Sequence, residues 1–86
     1  MQIDGAVIKE QGVTFAVAIV RPSVLDSPGR RDEMIVALSR VFGGLPTVLM
    51  AQNSQGTPRY YGRRDLVGFM ASVPLGAVQW KRYTVS

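Results

Sequence analysis

Cysteine and histidine are both absent from this chain of 86 residues. Without cysteine there is no disulfide framework, no zinc-thiolate site and no thiol nucleophile. Without histidine, the side chains that could act as general acid or base are carboxylates, tyrosines, Lys9 and Lys81. The sequence also lacks a phosphate-binding glycine loop, a recognisable carboxylate pair and metal-ligand spacing. It therefore predicts a protein that is not an enzyme, with no catalytic residues, no cofactor and no metal.

Long apolar runs are missing as well. The longest, interrupted only by Thr14, covers residues 13–20, far short of the roughly 20 residues that a membrane-spanning helix needs. The N-terminus shows no basic segment leading into an apolar run, so we expect a cytoplasmic protein outside the membrane. The composition, 47% hydrophobic and 19% charged, is typical of globular chains, and a chain this short supports one core. We expect a single domain over residues 1–86.

Five runs have strand character. Residues 2–9 and 13–20 flank the polar break Glu10-Gln11-Gly12, which predicts a hairpin. Residues 47–52 and 57–61 predict a second hairpin, and residues 77–85 predict an edge strand because both of its faces are mixed. Run 13–20 is apolar on both faces, which predicts a central strand with helices on one side and a partner subunit on the other.

Two runs have helical character. The first covers residues 28–42, opens with Ser27 as N-cap and Pro28 at the first helical position, and stops at Gly43-Gly44. The second covers residues 63–73 and contains Gly68, which indicates close packing at that point.

The element order is therefore ββαββαβ. We predict an α+β domain of two layers, with a sheet of about five strands and two helices on one face. The last four strands and the helices resemble a ferredoxin-like split βαβ unit, in which the first strand would displace a neighbour of the second, so the strand order stays open. The predicted core consists of Val13, Phe15, Val17, Ile19, Met34, Ile35, Leu38, Val41, Phe42, Val48, Met50, Leu66, Phe69, Met70 and Val73.

The charge is unevenly distributed. Residues 1–52 hold five basic and five acidic side chains, whereas residues 53–86 hold five basic side chains against Asp65 alone, so the net charge of +4 lies in the last third. This asymmetry favours anionic partners. The candidate anion-binding residues are Arg59, Arg63, Arg64 and Arg82, and Tyr61 and Trp80 are candidates for stacking on bases.

The tetrapeptide Gly-Arg-Arg-Asp occurs twice, at residues 29–32 and 62–65, each time near a predicted helix start. One interpretation is that Asp32 and Asp65 complement the helix dipoles while the arginines extend into water. Anion binding and interface salt bridges are the alternatives. In the segment RYYGRRD, residues 59–65, we expect Tyr60 in the core, Gly62 at a sharp turn and Asp65 at the helix start.

Two functions fit these features best, and an enzyme that uses carboxylate or lysine chemistry is a distant third. The first is a non-catalytic protein-interaction or self-association module, with a homodimer as one form of it. The alternative is a weak, sequence-independent binder of nucleic acid or another polyanion through the basic C-terminal third. The sequence does not identify a protein partner.

Overall fold

A computed structural model describes residues 2–10 and 12–85. Within these ranges the chain forms one mixed sheet of five strands, which are β1 (Gln2–Glu10), β2 (Val13–Ile19), β3 (Thr47–Gln52), β4 (Pro58–Tyr61) and β5 (Lys81–Thr84). Its helices are α1 (Pro22–Leu25), α2 (Pro28–Val41) and α3 (Arg64–Met70), followed by a 3₁₀ turn at Leu75–Ala77.

The strand order across the sheet is β4-β3-β2-β1-β5. Strands β2 and β3 are parallel, and the other neighbouring pairs are antiparallel. The α+β class, the five strands, the ββαββαβ order, both hairpins, the central β2 and the edge position of β5 are as predicted. In a split βαβ unit another strand separates the two parallel strands, whereas β2 and β3 are direct neighbours, so the ferredoxin-like arrangement is not formed.

The two main helices cover opposite faces of the sheet. The α2 cluster comprises the buried residues Ile3, Ala16, Ala18, Val24, Leu25, Leu38, Phe42, Leu49 and Ala51. The α3 cluster comprises Phe15, Val17, Val48, Met50, Leu66 and Met70. Because successive side chains of β2 and β3 alternate between these clusters, the sheet lies between two helical layers. The predicted two-layer arrangement with both helices on one face is therefore wrong.

The alanine face of β2 explains the difference. Ala16 and Ala18 are fully buried, and their small side chains let α1 and α2 pack closely on that face. All fifteen predicted core residues pack in one or the other cluster. The buried residues that the prediction left out, among them Leu49 and Leu25, lie mainly in the α2 cluster. Helices of the same chain thus supply the second cover that we had assigned to a partner subunit.

The predicted and observed boundaries of the elements agree best where a glycine or a proline begins or ends the helix or strand. Helix α2 begins at Pro28 after the N-cap Ser27, whose side chain makes no capping hydrogen bond, and it stops before Gly43 and Gly44, with φ of +71° and +85°. Gly12 ends the first turn with φ of +80°, and Gln11 of that predicted turn lies outside the described residues. Strand β1 extends one residue beyond its prediction.

The C-terminal third departs further from the prediction. Helix α3 ends at Met70 instead of residue 73, and β5 begins at Lys81 instead of residue 77. The intervening segment contains the 3₁₀ turn and packs Val73, Leu75 and Val78 against the α3 cluster. Gly68 is exposed, and a Cβ atom there would meet no other atom within 4 Å, so the close packing predicted for it is wrong.

Candidate functional site

The four candidate arginines lie at separate places on the surface. Arg59 is on β4 and Arg82 is on β5, which form the two opposite edges of the sheet. Arg63 is the N-cap of α3, and Arg64 is its first residue. The structure therefore brings Arg63 and Arg64 together as sequence neighbours, but it does not gather the four side chains into one patch.

Three of these arginines are paired with carboxylates. Arg59 Nη2 lies 3.0 Å from Asp26 Oδ1, Arg63 Nη2 lies 2.6 Å from Asp65 Oδ2, and Arg82 Nε lies 2.7 Å from Asp4 Oδ1. All three pairs are exposed, so each contributes little to stability, yet each reduces the positive potential at its arginine. Of the four, only Arg64 has no ion-pair partner in the part of the chain that the structure describes.

Asp65 stabilises the start of α3, as predicted. Its carboxylate accepts two hydrogen bonds from Arg63, and these bonds are the main reason that its pKa is lowered to about 2. Backbone N–H groups at the first turn, including that of Leu66, lower the pKa further. The same contacts raise the pKa of the Arg63 guanidinium.

The first Gly-Arg-Arg-Asp copy behaves differently. Helix α2 begins at Pro28, so Asp32 falls beyond the first turn, which contains no acidic residue. Asp32 instead accepts a hydrogen bond of 2.7 Å from the Tyr61 hydroxyl. The predicted role of Asp32 in complementing the helix dipole is therefore wrong. Arg31 lies over the Tyr61 ring, 4.2 Å from its centroid, and so does not extend freely into water.

Tyr61 and Trp80 do not form a common stacking surface. Tyr61 packs on the α2 cluster, whereas Trp80 packs on the α3 cluster on the other face. The Trp80 indole donates a hydrogen bond of 3.3 Å to the Leu75 carbonyl and so connects the residue before β5 to the 3₁₀ turn. Tyr60 packs on the α3 cluster as predicted, and its partial burial raises its pKa. Gly62 has φ of +155°, which fits the predicted turn.

The site that sequence reasoning missed is the open edge of β1, which we define as Ala6 to Glu10. Strand β2 pairs with β1 from Gly5 to Glu10, but β5 pairs only with Gln2 to Gly5. No strand of the described chain lies beside residues 6–10 on the β5 side. The backbone N–H and C=O groups on that side therefore make no ladder hydrogen bonds with a described strand, as at a free sheet edge.

An apolar notch adjoins this open edge. It has a volume of about 260 Å³ and is lined by Ala6, Val7, Ile8, Phe69, Val73, Ala77, Val78 and Gln79. Val7 is 47% exposed, and among the described residues Val36 on α2, at 55%, is the other large hydrophobic residue classed as exposed. The notch exists because the chain leaves the sheet before Lys81 and packs residues 75–78 over the α3 face. The predicted strand 77–85 would have covered most of this edge.

Other kinds of site find no support in residues 2–10 and 12–85. These residues contain no group of three or more acidic, histidine or cysteine side chains that could hold a metal ion. None of their helices is long and apolar enough to cross a membrane. Comparison of the chain with known protein families, with curated proteins and with solved structures finds no significant match.

Proposed function

We propose that this chain is a non-catalytic protein-interaction domain that binds an extended segment of its partner along the open edge of β1. The observation that supports the proposal is the combination of five residues of β1 that lack a partner strand on the β5 side with an apolar notch beside them. An added strand would satisfy the outward backbone groups through ladder hydrogen bonds, which is the recognition mode called β-augmentation.

Side chains of the bound segment would contact this domain on both faces of the sheet. Val7 alternates with Ile3 and Gly5 and therefore projects on the α2 side, whereas Ile8 packs on the α3 cluster beside the notch. Alternate side chains of the partner would contact Val7 and fill the notch. The preferred segment is therefore extended and carries apolar residues, especially β-branched ones, at alternate positions.

Binding of a polyanion is the weaker alternative. The net charge of +4 and the free Arg64 support it. The carboxylate partners of Arg59, Arg63 and Arg82 count against it, because each would have to be displaced or tolerated by a phosphate.

A selection from random 12-residue peptides displayed on phage tests the proposal. We expect enriched peptides with alternating apolar residues, and we expect a synthetic copy of one to shift the backbone NMR signals of residues 6–10. Val7→Lys should abolish the binding, since it replaces the apolar side chain that the partner contacts with a charge. Val36→Lys is the matched control because it changes an equally apolar and exposed residue away from the edge, and it should bind normally.

Three results would contradict the proposal: no enriched sequence pattern, equal loss of binding in both variants, or NMR shifts that fall elsewhere. Light scattering of the free protein addresses self-association. A dimer that Val7→Lys dissociates and Val36→Lys does not would identify the strand partner as a second copy of the chain. Salt-dependent binding of single-stranded oligonucleotides, with the edge signals unchanged, would favour the polyanion alternative.

A further inference from the structure

A second and larger cavity lies at the other end of β1, where that strand begins and β2 ends. Its volume is about 630 Å³, within the range of small-molecule sites. The lining residues are Gln2, Ile3, Asp4, Ile19, Val20, Arg21, Val24, Arg30, Met34 and Arg82. We call it the arginine groove. It shares no lining residue with the notch beside the open edge, so it is an independent feature.

The floor of the arginine groove is aliphatic. Val20 and Met34 are half-buried there, Ile3 and Val24 are buried, and all four pack in the α2 cluster. Ile19, also half-buried, lines the groove from the other face of the sheet. No aromatic ring is among its described lining residues. An alkyl chain is the ligand group that such a floor accommodates best, since it gains from leaving water and needs no hydrogen-bond partner.

The rim of the groove is positively charged. Arg21 and Arg30 are exposed, and neither has an ion-pair partner within residues 2–10 and 12–85. On the opposite wall Arg82 donates to Asp4 at 2.7 Å and to Gln2 at 3.4 Å, so the one carboxylate of the lining is already paired. Three arginines against one aspartate leave the lining with a charge of +2.

Local structure places the two free arginines beside aliphatic residues of the groove. Arg21 directly follows Val20, the residue after the end of β2, and is the N-cap of α1. Arg30 precedes Met34 by four residues on α2, so their side chains lie on the same side of the helix. Both exposed arginines therefore line the groove next to its aliphatic residues.

We propose that the arginine groove binds a small aliphatic carboxylic acid, with its carboxylate between Arg21 and Arg30 and its alkyl chain on Val20, Val24 and Met34. Charge complementarity selects the head group, because a guanidinium binds a carboxylate through two parallel N–H···O bonds. The Asp4–Arg82 pair closes the far wall without repelling the ligand strongly, since its own charges cancel.

Titration of the ¹⁵N-labelled protein with decanoate, below its micellar concentration, tests this proposal. We expect saturable shifts at the backbone amides of the lining residues. Decanol lacks the charge and acetate lacks the chain, so each should bind at least about tenfold more weakly than decanoate. The absence of saturable shifts in the lining, or equal affinity for decanol, would overturn the proposal.

Two matched double variants separate a specific site from general charge attraction. Arg21→Gln plus Arg30→Gln should weaken decanoate binding by about tenfold or more, because both charge-assisted contacts are lost. Arg40→Gln plus Arg64→Gln removes the same charge from exposed positions outside the groove and should leave the affinity within about twofold of the unmodified protein. Equal weakening in both variants would overturn the proposal. The dispersion of each variant's spectrum verifies that it is folded.

Discussion

Two aspartates in identical tetrapeptides have different environments in this protein. Asp65 lies in the first turn of α3 and is held by Arg63, whereas Asp32 lies beyond the first turn of α2 and accepts from Tyr61. The sequence predicted the role of Asp65 because Gly62 marks the turn before the helix. It could not predict the role of Asp32, since that depends on where β4 lies relative to α2.

The contact between Arg63 and Asp65 predicts a measurable pKa. NMR titration of the Asp65 carboxyl carbon should give a value of about 2. In Arg63→Gln the value should rise towards the ordinary value of about 3.9, since the largest cause of the shift is gone. The backbone N–H of Leu66 should keep it somewhat lower. Arg64→Gln is the control, because it removes the neighbouring charge and leaves both hydrogen bonds to Asp65 in place. Equal shifts in the two variants would contradict this account.

The sign of the effect on stability follows from the lowered pKa. The unfolded chain binds a proton at Asp65 more readily than the folded chain does. The contribution of this carboxylate to the stability of the folded protein is therefore fully present above about pH 4. It is lost as the pH falls through 2. Between pH 4 and 2, urea denaturation should therefore show a smaller loss of stability for Arg63→Gln than for the unmodified protein. An identical loss in both would contradict the linkage.

Helix α3 is the element whose stability can most readily be increased. Gly68 lies inside it, is exposed, and has open space where a Cβ atom would stand. Gly68→Ala should therefore raise the free energy of unfolding by about 0.5–1 kcal/mol, because alanine loses less backbone entropy in a helix. Urea denaturation measures the change.

The same substitution in β1 provides the contrast. A Cβ atom at Gly5 would lie 2.8 Å from Phe42 Cζ and 3.0 Å from the Val17 carbonyl oxygen. Gly5→Ala should therefore destabilise the protein, by about 1–3 kcal/mol, because the crowded ring and backbone would have to move. If Gly5→Ala were neutral, or Gly68→Ala destabilising, the packing described for these two elements would be wrong.

Periodicity predicted the elements better than their ends. Helix α2 and strands β1 to β4 agree with the sequence within one residue, since proline, glycine and alternation mark their limits. Residues 71–73 and 77–80 were misassigned because Val73, Val78 and Trp80 are apolar enough to suit a helix or a strand. In the structure they pack on the α3 cluster from turns and irregular backbone. Tertiary packing decided the local structure there.

The arrangement of the whole molecule was harder to predict than its parts. The fifteen core residues were correctly chosen, but a pattern of apolar residues does not say which helix covers which face. The candidate sites show the same limit. The charge pattern of the sequence pointed to the arginines. The open edge, in contrast, exists because β5 is shorter than β1, and the arginine groove forms where the start of β1 lies beside the end of β2.

If both clusters belong to one cooperative domain, a cavity on one face should weaken the other face equally. Leu38 is fully buried in the α2 cluster, so Leu38→Ala should cost about 2–5 kcal/mol of unfolding free energy. Trp80, the single tryptophan, packs on the α3 cluster and reports on the opposite face. Its fluorescence transition in urea should move to lower concentration together with the far-UV circular dichroism transition, because β2 and β3 contribute side chains to both clusters.

Met70→Ala in the α3 cluster is the matched variant and should shift both signals in the same way. If Leu38→Ala instead left the Trp80 transition in place while the dichroism transition moved, the two faces would unfold separately and the expectation of a single domain would fail.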